Sequence, residues 1–133
     1  MNAVFADTHY FIAMLNPTDV ANARAMSFAR TFAGDYVTTR EVLVELADGL
    51  SAVGSRLAAG KFIEDIRTNR AMRIIWSDES LFDEGYALYM ARPDKQWSLT
   101  DCISFVVMKR EGITEALTGD HHFEQAGFMA LLK

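Results

Sequence analysis

A single cysteine, Cys102, stands in this chain of 133 residues, so no intramolecular disulfide can form. Its apolar surroundings in "DCISFVVM" mark it as a small core residue. The apolar N-terminal stretch carries no basic leader and is broken by Asp7 and His9, which excludes a signal peptide or a membrane span and makes a cytoplasmic location the expectation. There is no glycine-rich phosphate loop and no G-x-S-x-G nucleophile elbow, and Cys102 has no evident base partner. Repeats, linkers and low-complexity tracts are lacking too. Basic charge is in short supply: 13 Lys and Arg face 18 Asp and Glu, a net charge of -5, which argues against an indiscriminate nucleic-acid coat protein. A nucleic-acid substrate stays open, because acids gathered around a metal would account for much of the excess.

What is present fits one compact domain, residues 1–133, with 50% hydrophobic content and enough chain to bury roughly two-thirds of its unfolded surface. Short β-rich runs, "AVFAD", "DYVTT", "MRIIW", "EALTGD" and "FMALL", alternate with helical periodicity. One amphipathic helix carries Ala25, Phe28, Ala29 and Phe32 before Gly34. Two more, around Val42 to Leu50 and Ala59 to Ile66, form an arm. A further helix begins near Ser80 and ends before Pro93, and Ser98 opens an apolar helix that Gly112 closes. The pattern predicts an α/β fold with a mainly parallel sheet and helices on both faces.

In such sheets ligands sit beyond the carboxyl ends of the strands. The residues handed to that edge are acidic: Asp7 ends the first strand, Asp120 follows "EALT", Glu45 lies just over one turn into the helix after "DYVTT", and Asp101 falls in the first turn of "SLTDCISFVVM". Four converging carboxylates repel unless protons or a divalent cation intervene, and carboxylate ligands suit Mg²⁺ or Mn²⁺. Each acid also has a plainer reading. Asp7 is placed to cap the following helix, Asp101 to form a capping pair with Ser98, and Asp120 to serve a turn beside Gly119. Glu41 is assigned to a capping box with Thr38, which leaves Glu45 as the ligand. Adjacent His121 and His122 lack the i, i+4 spacing of a helical zinc pair, so zinc is disfavoured.

The run "FADTHYFIAML", the helix "EVLVELADGL" and the segment "WSLTDCISFVVMKREGITEALTGDHHFEQAGF" resemble, in that order and over nearly the whole chain, a PIN-domain nuclease, close to the VapC-like toxins of type II toxin–antitoxin pairs. The resemblance implies a three-layer α/β/α fold and metal-dependent cleavage of RNA. It makes Asp7, Glu45, Asp101 and Asp120 the catalytic metal ligands, with Thr8 and Ser98 as supporting hydroxyls. His9 departs from the commoner small Ser or Thr and is read as a packing or surface residue, with substrate contact as the alternative. A small antitoxin and a homodimer are implied as partners.

Phosphate contacts call for cations, and Arg56, Lys61, Arg67, Arg70 and Arg73 gather in and just beyond the arm, with Arg92 and Lys95 ahead of Asp101. Solvated surface charge is the plainer reading of each. Rival classes are a housekeeping RNA-processing nuclease, a phosphatase and a silent RNA-binding module. His9 stands where a phosphatase of the haloacid-dehalogenase type needs a second Asp, and a silent module would have lost acids that are all present here.

Overall fold

The computed structural model describes residues 2–133. In chain order it runs β1 (Ala3–Ala6), α1 (Thr8–Leu15), α2 (Asn22–Thr31), β2 (Asp35–Thr39), α3 (Arg40–Gly49), α4 (Arg56–Thr68), β3 (Met72–Ile75), α5 (Glu79–Ala91), α6 (Leu99–Glu111), β4 (Glu115–Leu117), α7 (His121–Gln125) and β5 (Met129–Ala130). The five strands form one sheet in the order β3-β2-β1-β4-β5, every pairing parallel. Parallel neighbours need crossovers, and the right-handed rule places α1 to α4 on one face and α5 to α7 on the other. The expected three-layer α/β/α architecture is the one observed, with a sheet that is wholly rather than mainly parallel.

The strands are apolar because both faces are covered. Val4, Phe5, Val37, Ala116 and Leu117 are all buried, and around them Phe11, Leu46, Ile103, Met108 and Phe123 complete the core. Phe105 of α6 sits edge-on to Phe123 of α7 at 4.9 Å and to Trp97 at 5.1 Å, which ties the short α7 to the start of α6. Cys102 is fully buried and free, as expected. No helix among the described residues is long and apolar enough to cross a membrane.

Two elements depart from expectation. One helix was expected between the first two strands, and there are two: α1 begins at Thr8, directly after the strand, with no turn residue to announce it. α7, a single short turn after Asp120, was likewise not foreseen. Elsewhere the boundaries agree. Ser98 caps α6, and Gly112, at φ 69°, ends it in the left-handed conformation that glycine adopts without strain. The capping box assigned to Thr38 and Glu41 is not formed. Thr39 is the N-cap of α3 and accepts from Val42 N–H, whereas Thr38 donates its hydroxyl to the Ala6 carbonyl and stitches β2 to β1. Glu41 instead accepts from Ser77 and pairs with Arg40.

Helices α5 and α6 pack closely where a Cβ at Gly85 would overlap the Ile103 side chain and crowd its backbone. Gly85→Ala should therefore destabilise the fold by about 1–3 kcal/mol in urea denaturation. Gly60→Ala, inside α4 with open space around it, should stabilise by up to about 1 kcal/mol. Equal and favourable effects at both positions would mean that the α5–α6 contact is looser than described.

Candidate metal centre

The chain leaves β1 toward β2 on one side, and β4 lies on the other, so the β1/β4 boundary is the point where strand order reverses and a crevice opens at the carboxyl edge. Asp7 lies in that crevice, and the residue is 6% exposed. It occupies the N-cap position of α1 without accepting a capping hydrogen bond through its side chain, so the capping reading does not account for it. Its Oδ2 accepts the hydroxyl of Thr118 at 2.9 Å. Burial pushes its pKa up to about 7 from 3.8; the Thr118 hydrogen bond opposes that shift, while the charges of Asp101 and Glu45 add to it.

Thr118 escaped notice in the sequence. It is fully buried at the end of β4 and works in both directions, donating to Asp7 and accepting the backbone N–H of Asp120 at 3.0 Å. One hydroxyl thus fixes two of the four acids. The only signal in the chain is a hydroxyl residue where a strand meets the loop carrying Asp120, and its value depends on β4 lying beside β1.

Asp101 meets its capping reading, and Asp120 caps a short helix where a turn role beside Gly119 had been expected. Asp101 forms the capping box with Ser98, its Oδ2 accepting Ser98 N–H at 3.1 Å while Ser98 Oγ accepts Asp101 N–H at 3.0 Å. Desolvation, chiefly, raises its pKa, and the nearby Asp120 charge adds to the rise. Asp120 caps α7 through Oδ1, which accepts His122 N–H at 2.9 Å. The ring Nδ1 of His122 then lies 3.2 Å from Asp101 Oδ2 and 3.3 Å from Asp120 Oδ2 and joins the two acids. Glu45, exposed on α3, completes the set: Thr8 donates to its Oε1 at 2.5 Å, and it lines a cavity of about 580 Å³ with Arg40, Glu41, Val44, Asp48 and Thr100.

All four expected acids and both expected hydroxyl residues therefore share one edge. His9 is a clamp: its Nδ1 accepts Gly119 N–H at 2.8 Å, and its ring lies where a Cβ at residue 119 would be. The basic residues divide. Arg70 and Arg73 lie at the entry to β3, the end opposite the acids, and Arg73 pairs at 2.5 Å with Glu111, the last residue of α6, whose first turn carries Asp101. Arg67 lies over the Trp76 ring, 5.6 Å from its centroid, while Arg56 and Lys61 are exposed on α4. Lys95 lines a cavity with His121 and His122, next to the acids.

The donor set fits a divalent cation. Among the described residues the only ion-pair partners of these four acids are histidines, so no Lys or Arg offsets their charge. Asp120, His121 and His122 present ligand atoms within 4.8 Å of one another.

Because Asp7 is neutral up to about pH 7 in the native state but ionises near 4 when unfolded, stability should fall as pH rises between those values and stay low above them. With chelator present, Asp7→Asn should raise unfolding free energy at pH 8 by up to about 4 kcal/mol. The gain should shrink at pH 5. A thermal midpoint lowered by the substitution at pH 8 would contradict this.

Comparison with known proteins places this geometry. The PIN domain model matches residues 4–129. The chain is 26% identical over 127 residues to the 23S rRNA-specific endonuclease VapC20 of Mycobacterium tuberculosis, covering 95% of each. The crystal structure of that protein, described as a sarcin-ricin loop cleaving toxin, superposes with a TM-score of 0.86 at 25% identity, over 95% of this chain and 96% of the other. FitAcB from Neisseria gonorrhoeae shares the fold, with a TM-score of 0.69 at 18% identity and 96% coverage of both chains. With its parallel sheet, its crevice at the β1/β4 boundary and the acids gathered there, the chain belongs to the PIN domain family.

Proposed function

We propose that this chain is a metal-dependent endoribonuclease acting as the toxin of a toxin–antitoxin pair. The observation that carries the reading is the convergence of Asp7, Glu45, Asp101 and Asp120, with no Lys or Arg to offset them, in a fold that matches an RNA-cleaving relative over nearly its full length.

Asp7 and Asp101 would hold a Mg²⁺ or Mn²⁺ ion centrally, with Glu45 and Asp120 flanking. A bound divalent ion supplies an acidified water and a sink for charge developing on a phosphodiester. The protein's own part is placement. Thr118 orients Asp7 and the Asp120 loop, Thr8 orients Glu45, and the Ser98 capping box fixes Asp101 on the first turn of a buried helix. Preorganisation of this kind is needed because each carboxylate is repelled by the others until a cation arrives.

For the RNA backbone, Lys95 and Arg40 are the cations that share cavities with the site residues, and we assign phosphate contact to them ahead of the arm. Arg56, Lys61 and Arg67 are secondary candidates, and the position of Arg70 and Arg73 at the opposite edge argues against them. An antitoxin segment carrying Arg or Lys would compete for the acids by charge pairing. Homodimerisation is part of the proposal, and the half-exposed stacked rings of Phe82, Tyr86 and Tyr89 on α5 are the face that supports it.

Purified chain should cleave RNA with Mg²⁺ or Mn²⁺ and lose the activity in chelator. Asp7→Asn and Asp101→Asn should each reduce cleavage by at least about a thousandfold without unfolding the protein. Cleavage that survives chelation and both substitutions would sink the metal mechanism. Lys95→Gln should weaken RNA binding and flatten its salt dependence by about one phosphate contact, with Arg73→Gln leaving both unchanged. The reverse ranking would return the arm to first place. Expression of the wild-type chain should arrest growth, and expression of Asp7→Asn should not; harmless active protein would instead favour a housekeeping RNA-processing nuclease.

A further inference from the structure

His122 is unlike the other members of the site. The four acids offer only oxygen, the donor that Mg²⁺ requires, and a Mg²⁺ site keeps several waters rather than taking nitrogen. Yet the imidazole of His122 points into the cluster. Its Nδ1 is 3.2 Å from Asp101 Oδ2 and 3.3 Å from Asp120 Oδ2, and its side chain is 17% exposed. A cation bound at about 2.1 Å holds neighbouring octahedral donors about 3 Å apart, and each of these two separations from Nδ1 is close to that spacing. The ring is held there by its own backbone, because His122 N–H caps onto Asp120 Oδ1 at 2.9 Å and Phe123, the next residue, is locked against Phe105 of α6. His121 lacks this arrangement: its side chain is 65% exposed, and its Nδ1 is 3.6 Å from Asp120 alone.

We infer that His122 is a metal ligand of this site through Nδ1, with its proton on Nε2, and that it selects Mn²⁺ over Mg²⁺. Imidazole nitrogen adds affinity for first-row transition ions and little for Mg²⁺. The inference rests on the metal-dependent reading above and sharpens it: the carboxylates recruit a dication, and the imidazole ranks one dication over another.

The test uses the full chain with Mn²⁺ as the probe, comparing wild type, His122→Asn and His121→Asn. Electron spin-echo modulation of bound Mn²⁺ should show coupling to a directly ligated ¹⁴N in wild type and in His121→Asn, and none in His122→Asn. Free-ion titrations should show Mn²⁺ affinity falling about tenfold in His122→Asn, with Mg²⁺ affinity, read by competition, changing by no more than about twofold. Bound Mn²⁺ without nitrogen coupling in the wild type, or parallel losses of both ions in His122→Asn, would overturn the inference, reduce His122 to a positioning residue for Asp101 and leave the metal-dependent nuclease standing. Binding of neither ion by wild type would overturn both.

Discussion

A carboxylate taken out of water without a cation beside it is the constraint around which this molecule is arranged. Asp7 emerges from a strand in which Val4, Phe5 and Ala6 are buried, and it faces Asp101 and Glu45. Desolvation and repulsion both favour its neutral form, and the Thr118 hydroxyl and, less strongly, the Thr8 backbone N–H oppose them. A structure built for stability alone would place an apolar residue or a paired ion there. The cost makes sense where the missing charge is delivered by a ligand, since the same burial that destabilises the bare anion strengthens its attraction for a dication.

The fold supplies this strained edge through topology rather than through any one loop. Because β1 is central, with β2 on one side and β4 on the other, the residues that follow β1 and β4 meet at the reversal of strand order. The helices that start there bring Glu45 and Asp101 on their early turns. The hydroxyls of Thr8 and Thr118 and the backbone N–H of Ser98 then hold the carboxylates by hydrogen bonds that add no charge. Each such bond spares the site a Lys or Arg that would compete with a metal. His9, bonded to Gly119 N–H, fastens α1 to the β4 loop from outside the acid cluster.

The acids were legible in the sequence because each sits at a place that periodicity locates well, the end of an apolar run or the first turns of an amphipathic helix. Their partners were not. Thr118 reaches Asp7 across 111 residues of chain, and nothing local says which strand neighbours which. Asp101 does cap its helix, as its plainer reading had it, while Asp120 caps α7, a helix the sequence did not announce, where a turn beside Gly119 had been read. The arm arginines show the complementary failure. Helical spacing groups Arg67, Arg70 and Arg73 with the arm, but only the direction of β3 reveals that the last two enter at the end of the sheet away from the acids. α1 stayed hidden because Asp7 passes the chain from strand to helix within one residue, leaving no turn composition to read.

The most direct test of the central claim is the titration of the Asp7 carboxyl itself, followed by carbon-13 NMR with the resonance assigned through Asp7→Asn. In metal-free protein it should ionise at about pH 7, far above its ordinary value of 3.8. Saturating Mg²⁺ or Mn²⁺ should bring the midpoint down by more than about two units, because a bound dication favours the anion. An Asp7 that titrates near 4 without metal, or whose midpoint ignores both ions, would contradict the account.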